Sequence, residues 1–273
     1  MNKELLDKLT ERCYRMKLKA LDMAFGTGAE GSHIGGAFSL MEILAVLYEI
    51  ANVNDMSSSN RDRVILSKGH AVLAYYTALW QNGFLTEKQL ETFDKNGTLL
   101  HGHPHRNLQL GMEFASGSLG LGLSYAVGVA LACKKKGLDN RIYVILGDGE
   151  CDEGIIWESL MSIRNYNLDN MTLIVDQNHY QLDGPTVEVM NQYSLESKFS
   201  AFGYHVTTVN GHDIEALYDA LQPKDGLNVI IADTIKAHGI SFLENNKMSH
   251  HTSLTMKKYQ QAINDIKTAY GEL

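Results

Sequence analysis

The sequence predicts an α/β fold in which a mainly parallel sheet is covered by helices on both faces. Three observations carry this prediction. Tyr143-Val144-Ile145-Leu146 and Thr172-Leu173-Ile174-Val175 are β-branched, aliphatic runs with the length and composition of strands buried on both faces. The segment between them has helical spacing, so the two strands read as parallel neighbours joined by a crossover. Strands and helices then alternate over 204–209, 213–221, 228–234 and 256–270, the order expected of an α/β protein.

From the start of the chain, residues 3–25 place Leu5, Leu6, Leu9, Met16, Leu21 and Met23 at near-helical spacing. A glycine-rich loop, Gly26–Gly36, follows, and Ser39–Ile50 and Ala71–Gln81 read as two more helices. Beyond the loop His101-Gly102-His103-Pro104-His105, the run Gly117–Gly122 opens a small-residue helix that continues through Lys136. Small residues there allow a ligand or another chain to approach the backbone closely. The triplet Lys134-Lys135-Lys136 closes this helix, where cations complement the dipole.

The strand at 143–146 runs into Gly147-Asp148-Gly149, and the strand at 172–175 ends in Asp176-Gln177-Asn178. Ligands bind at the carboxyl edge of open α/β sheets. A carboxylate from Asp148 and an amide oxygen from Asn178, beside glycine backbone, suit a hard divalent cation whose other ligands are phosphate oxygens. A side chain at position 149 would crowd a phosphate, and the helix starting near Glu153 aims its N-terminus at the same region. Gly-Asp-Gly alone is a common turn. Its place after a strand, the 30-residue offset to Asn178, and Leu182-Asp183-Gly184 closing the following loop make it a candidate site.

The chain has 273 residues, 44% of them hydrophobic and 21% charged, which suits one continuous domain over 1–273. Three prolines leave no proline-rich linker, and no repeat interrupts the pattern. A net charge of −8, with no basic run beyond Lys134-Lys135-Lys136, argues against a nucleic-acid partner. The polar N-terminus lacks a signal-peptide core, and no apolar run reaches the length of a bilayer span. Cys13, Cys133 and Cys151 form an odd, widely spaced set, as expected of reduced thiols in a cytoplasmic protein. Cys151 reads as a small turn residue, because Glu150, Asp152 and Glu153 would raise its pKa and blunt it as a nucleophile.

Gly147-Asp148-Gly149 with Asn178 resembles the thiamine diphosphate and divalent-metal motif. The longer similarity is to the N-terminal part of transketolase, at Gly31-Ser32-His33-Ile34-Gly35, Arg61 to His70, Gly102-His103-Pro104, Gly117–Gly122, Gly147–Gly154, Asp176–Gly184 and Ile240 to Asn246. The resemblance implies a thiamine diphosphate-binding fold of the diphosphate-binding type. It implies that Asp148, Asn178 and the main-chain carbonyl of Tyr180 hold Mg2+ or Ca2+, and that His70 and Gly149 contact the diphosphate. Gly117 and Leu119 would line the cofactor rings, and Asn178 would bind cofactor as well as metal. His33, His103 and His250 would face the reacting sugar, His250 also lying near the diphosphate. Glu153 would sit at a subunit contact. Histidine suits proton traffic near neutrality because its ordinary pKa is about 6.5.

The resemblance stops short of the pyrimidine-binding and C-terminal domains of a full transketolase, where the activating glutamate and most sugar-phosphate arginines lie. It therefore implies a two-chain transketolase, with this chain as one subunit of a heterotetramer acting on phosphorylated sugars in the pentose phosphate pathway or in specialised sugar metabolism. The alternatives are another thiamine diphosphate enzyme, such as a 2-oxo acid dehydrogenase component, and a non-catalytic regulatory subunit. Taken singly, each histidine also suits a structural hydrogen-bonding role. The 101/103/105 set also has zinc-type ligands, but Pro104 excludes a helix-face arrangement and no cysteine pair completes it. Ile34, Ser118, Leu121 and Ser249 depart from the family pattern, which bears on the substrate more than on the cofactor.

Overall fold

The computed structural model describes residues 1–271. Among them, strands β1 (Arg63–Leu66), β2 (Ile142–Gly147), β3 (Met171–Gln177), β4 (His205–Asn210) and β5 (Asn228–Asp233) form one sheet in the order β1-β2-β3-β5-β4. Every pairing is parallel. The predicted neighbours at 143–146 and 172–175 lie side by side, with Gly147 in register with Asp176.

Successive strand side chains point to opposite faces, and in this sheet both faces are apolar. Val64, Leu66, Tyr143, Ile145, Ile174 and Ile230 belong to one core, while Ile65, Val144, Leu146, Leu173, Val175 and Ile231 belong to the other. The first core packs against helices α1 (Lys3–Gly26), α2 (Gly35–Phe38), α3 (Met41–Ile50), α4 (Val72–Gln81) and α5 (Glu87–Leu90). The second takes α6 (Leu121–Lys135), α7 (Gly154–Asn165) and, after the short α8 (Thr186–Val189), α9 (Leu195–Ala201). Helices α10 (Ile214–Leu221) and α11 (Met256–Tyr270) return to the first face through Leu217, Leu221, Ala262 and Ile266.

The helix starts follow local chemistry. Asn2, Asp213 and Thr255 accept hydrogen bonds from first-turn N–H groups of α1, α10 and α11, satisfying donors that a helix start leaves free. Two expectations change. Ser39–Ile50 is not one helix, because Ser39 and Leu40 separate α2 from α3. The helix expected to open at Gly117 begins only at Leu121, because Gly120 is left-handed at φ +81° and holds 117–120 as a loop. Strand β1 was not anticipated; its four residues are too few to show a period.

Candidate active site

A cleft of about 250 Å³ lies at the carboxyl edge of the sheet. It is lined by every residue singled out above for metal, cofactor or sugar: His33, His70, His103, Gly117, Leu119, Asp148, Gly149, Asn178, Tyr180 and His250. Backbone hydrogen bonds between strand ends bring the two polar termini together: Asp148 N–H donates to the Asp176 carbonyl at 3.1 Å. His179 adopts a left-handed φ of +62°, so its N–H turns back to the Asp148 carboxylate at 2.7 Å, and Gly149 N–H donates to the other oxygen at 2.9 Å. Asn178 Oδ1 accepts from Tyr180 N–H at 3.1 Å. The Gln192 side chain donates to the Asp148 carbonyl at 2.5 Å and to Asp152 at 2.8 Å, tying the loop after β3 to the turn after β2. A Cβ on Gly149 would lie 3.2 Å from Gln181 Cγ, so the loops approach closely there.

Charged residues that sequence reasoning left without a role lie around this edge. Asp176 is fully buried in β3, pairs with Lys68 at 2.5 Å, and accepts from the hydroxyls of Ser39 and Thr234. Lys68 lines the cleft, and it holds the Asp176 carboxyl below the usual range despite burial. Glu150 accepts from Ser67 Oγ at 2.5 Å, from Gly120 N–H at 2.7 Å and from Gly147 N–H at 3.0 Å, which fastens the 117–120 loop to the ends of β1 and β2. Lys236 is 1% exposed and has no carboxylate within ion-pair distance among the described residues. Its ammonium donates to the Gln181 carbonyl at 3.0 Å and lies 3.4 Å from His250 Nδ1. Burial and Lys68 lower its pKa to about 8. An under-compensated buried cation is a place for an anion.

Burial also pushes Asp148 up to about 6, with Asp176 adding to the effect. A divalent cation would reverse that shift. The side-chain oxygens of Asp148 and Asn178 and the carbonyl of Tyr180 form the all-oxygen set a hard cation takes. The donor chemistry and the adjoining Lys236 therefore fit a metal-bound diphosphate.

The histidines gather around His33. Its ring centroid lies 5.3 Å from both His103 and His250, 5.6 Å from His70 and 4.6 Å from His251. Burial, reinforced by the neighbouring imidazoles, lowers His33 to about 3. Burial and Lys236 lower His250 to about 4, and burial holds His70 and His103 below the ordinary value. At neutral pH these rings are uncharged, each with one accepting nitrogen, which in His250 is Nδ1 facing the Lys236 ammonium.

A two-residue antiparallel bridge positions them. Ser32 and Thr252 exchange backbone hydrogen bonds at 3.0 Å, which brings His33 beside His250 and His251. Gly31 makes this possible: it is left-handed at φ +73°, and a Cβ there would lie 2.7 Å from the Thr252 carbonyl carbon. Gly31→Ala is expected to cost about 1–3 kcal/mol in backbone strain alone. It should lower the thermal midpoint and move the imidazole NMR signals of His33 and His250; an unchanged midpoint with unmoved signals would show that the bridge yields freely. Ser249, one of the departures, is buried with its hydroxyl on the Asn246 carbonyl at 2.6 Å and packs tightly against Gly35, where a Cβ would lie 2.6 Å from that hydroxyl. Ile34 is buried in the core, whereas Ser118 and Leu121 are exposed.

A different cluster has metal-like spacing. Glu42, His212 and His238 bring ligand atoms within 4.8 Å of one another. Lys17 already occupies this cluster, 2.6 Å from Glu42 and 3.2 Å from His238 Nδ1. Ile235 N–H donates to His212 Nε2 at 2.8 Å, which leaves Nδ1 to donate toward Glu42 at 3.2 Å. The group is a buried ion-pair network. Cys151 is buried, and its thiol is pushed well up by burial and Glu150, consistent with a turn residue.

The fold and this cleft put the chain in the class of thiamine diphosphate-binding domains. More narrowly, it belongs to the transketolase family: residues 12–272 match the family described as transketolase, thiamine diphosphate binding domain. The chain is 38% identical to the 6-deoxy-6-sulfo-D-fructose transketolase subunit of Clostridium sp. strain MSTE9, with 86% of this chain and 88% of that one covered. It is 36% identical to an apulose-4-phosphate transketolase subunit of Actinobacillus succinogenes, with 96% of each chain covered. The crystal structure of transketolase from Campylobacter jejuni superposes with a TM-score of 0.88 at 31% identity, covering 99% of this chain but 43% of that one. The chain thus matches subunit relatives nearly end to end and spans less than half of the undivided enzyme. No helix among the described residues is long and apolar enough to cross a membrane.

Proposed function

We propose that this chain is the diphosphate- and metal-holding subunit of a thiamine diphosphate-dependent transketolase. The enzyme would transfer a two-carbon ketol unit from a ketose phosphate to an aldose phosphate, and only with a separate chain that supplies the pyrimidine-binding and C-terminal domains. The observation that carries this reading is the cleft in which an oxygen-donor set adjoins a cluster of uncharged histidines, with the buried Lys236 ammonium behind it against His250.

Bound thiamine diphosphate supplies the carbanion sink that cleavage of a ketose carbon–carbon bond requires. Asp148, Asn178 and the Tyr180 carbonyl hold Mg2+ or Ca2+, while Gly149, His70 and Lys236 contact the diphosphate. Gly117 and Leu119 line the rings, on a loop that Glu150 keeps in place. His33 and His103 accept and return protons at the sugar hydroxyls; His250 serves the sugar and, through its contact with Lys236, the diphosphate end. Their depressed pKa values keep them in the accepting form at neutral pH. The exposed Glu153 lies at the contact between subunits of a heterotetramer. The whole chain acts as one domain, and three buried, unpaired thiols fit a cytoplasmic enzyme. A specialised sugar is a second reading of the substrate, favoured by the sulfofructose and apulose phosphate named for the subunit relatives.

The test is reconstitution. The isolated chain with thiamine diphosphate and Mg2+ is expected to give no ketol transfer between xylulose 5-phosphate and ribose 5-phosphate, and addition of the chain encoded beside it is expected to restore turnover. Robust activity from the isolated chain would sink the split-enzyme reading.

A further inference from the structure

Lys236, the buried cation behind the cleft, stands on a short turn that follows β5. Its ammonium reaches two residues of the cleft wall, the Gln181 carbonyl at 3.0 Å and His250 Nδ1 at 3.4 Å. Its stem has little room to adjust, since a Cβ on Gly35 would lie 2.9 Å from Lys236 Cε. A shift of the turn is therefore passed on to the ammonium rather than absorbed by the side chain.

Three N–H groups hold that turn. Thr234 N–H donates to the Gln177 carbonyl at 3.0 Å, and Ala237 N–H, on a residue left-handed at φ +62°, donates to the Gly35 carbonyl at 2.9 Å. The third belongs to Ile235, directly before the lysine, and it donates to a side chain: His212 Nε2, at 2.8 Å. His212 lies outside the cleft, in the turn after the edge strand β4, with its side chain 10% exposed. Gly211 beside it donates to the Asp233 carbonyl at 2.8 Å, and a Cβ on Gly211 would collide with Thr234, so the two turns are in close contact.

A neutral imidazole has one donor and one acceptor nitrogen. A backbone N–H can donate only into a lone pair, so Nε2 is bare and Nδ1 carries the proton, directed at the Glu42 carboxylate 3.2 Å away. The carboxylate fixes the tautomer, as carboxylates do for histidines that serve a metal or a nucleophile through their other nitrogen. Lys17, 2.6 Å from Glu42, compensates its charge, and His238 stacks on the His212 ring with centroids 3.6 Å apart. The buried ion-pair network thus ends on the backbone of residue 235, one residue from the lysine of the cleft.

We infer that His212 is a positioning residue for the diphosphate end of the cleft: held in its Nδ1–H tautomer by Glu42, it fixes the Ile235 N–H and, through it, the Lys236 ammonium. The inference rests on the reading of Lys236 as a cation that contacts the diphosphate. His212 itself touches neither cofactor nor sugar and moves no proton.

The test uses the reconstituted two-chain enzyme and calorimetric titration with thiamine diphosphate in saturating Mg2+. Two substitutions separate the ring nitrogens. His212→Asn places an amide near Nδ1, within reach of Glu42, and offers nothing at Nε2; His212→Gln extends an amide oxygen to the Nε2 position, where it accepts from Ile235 N–H. His212→Asn is expected to weaken thiamine diphosphate binding on the order of 10-fold, the scale of one hydrogen bond to a charged group, and His212→Gln to stay within about 3-fold of wild type. Lys236→Met should weaken binding at least as much as His212→Asn, and adding His212→Asn to it should cost nothing further, because the group it positions is gone. NMR of the wild-type complex reads the same bond without a substitution: the Ile235 amide and an unprotonated His212 Nε2 should be coupled, and both should shift when thiamine diphosphate binds. A protonated Nε2, signals that ignore the cofactor, equal loss in the Asn and Gln variants, or a loss that persists in the Lys236→Met background overturns the inference. Wild-type affinity in His212→Asn beside weakened binding in Lys236→Met also overturns it, while leaving the reading of Lys236 standing. Wild-type affinity in Lys236→Met overturns that reading, and the inference with it.

Discussion

Asp148→Ala is expected to weaken Mg2+-dependent binding of thiamine diphosphate by more than about 100-fold, because loss of supporting residues around a metal already costs about 10–100-fold and Asp148 is proposed as a ligand itself. Ketol transfer by the reconstituted enzyme should fall with it. The Asp148 carboxylate has two tasks, the first in the proposed metal site and the second in the fold. It offers oxygen to a cation, and it collects the N–H groups of Gly149 and His179 that set the turns after β2 and β3. Asp148→Asn separates them, since an amide oxygen still accepts from backbone but lacks the charge. Chelation of the wild-type enzyme should reproduce the metal-dependent part of the defect. Calorimetric titration with thiamine diphosphate checks the result; wild-type affinity in the alanine variant would remove Asp148 from the site.

Glu42→Gln is expected to be strongly destabilising, although it lies outside the cleft. Glu42 is 2% exposed and receives Lys17 at 2.6 Å, His212 at 3.2 Å and the Tyr270 hydroxyl at 3.2 Å. Its carboxyl is held well below the ordinary range in spite of burial, chiefly by Lys17, and Lys17 is held above its ordinary value by Glu42. Neutralising one partner strands the other as a buried charge, at a cost of about 3–5 kcal/mol. For a domain of this size the thermal midpoint should drop by on the order of 10 °C. The paired change Lys17→Met with Glu42→Leu should lose much less, because both desolvation costs vanish together. A folded-state pKa below the unfolded value gives stability above that unfolded value that is lost as pH falls through the folded one, so wild-type acid unfolding includes protonation of Glu42 and the glutamine variant lacks that component. Melting curves between neutral and acidic pH check both points, and a midpoint unchanged by Glu42→Gln would show that water reaches the network.

The meeting of Asp148 and Asn178 at the sheet edge was legible because its signals are local. An apolar strand that breaks into Gly-Asp-Gly, and another that breaks into Asp-Gln-Asn, mark a sheet edge without knowledge of any other residue. The histidines were legible only through the family resemblance, since nothing in the spacing of positions 33, 70, 103 and 250 requires that they meet. Lys68, Glu150, Asp176 and Lys236 were missed as parts of the site because charged side chains in a sequence look solvated, and their burial is a property of the assembled sheet. Asp176 carried one faint signal, a carboxylate closing a run that is otherwise wholly apolar. The false helix start at Gly117 has the same origin: small residues favour close packing equally in a loop and in a helix, and the left-handed Gly120 decides between them.

By itself the sequence determined the alternating α/β order, the parallel pairing of its two strongest strands, and the placement of Asp148 and Asn178 at their carboxyl ends, because strand periodicity and turn chemistry act over a few neighbouring residues. Only the tertiary structure decided which distant groups share a space. The Ser32–Thr252 bridge, made possible by the left-handed Gly31, brings the histidines together, and burial then strips them of charge. The physical reason is common to all of these: desolvation and long-range packing depend on what surrounds a residue in space, and the order of the chain specifies that only once it has folded.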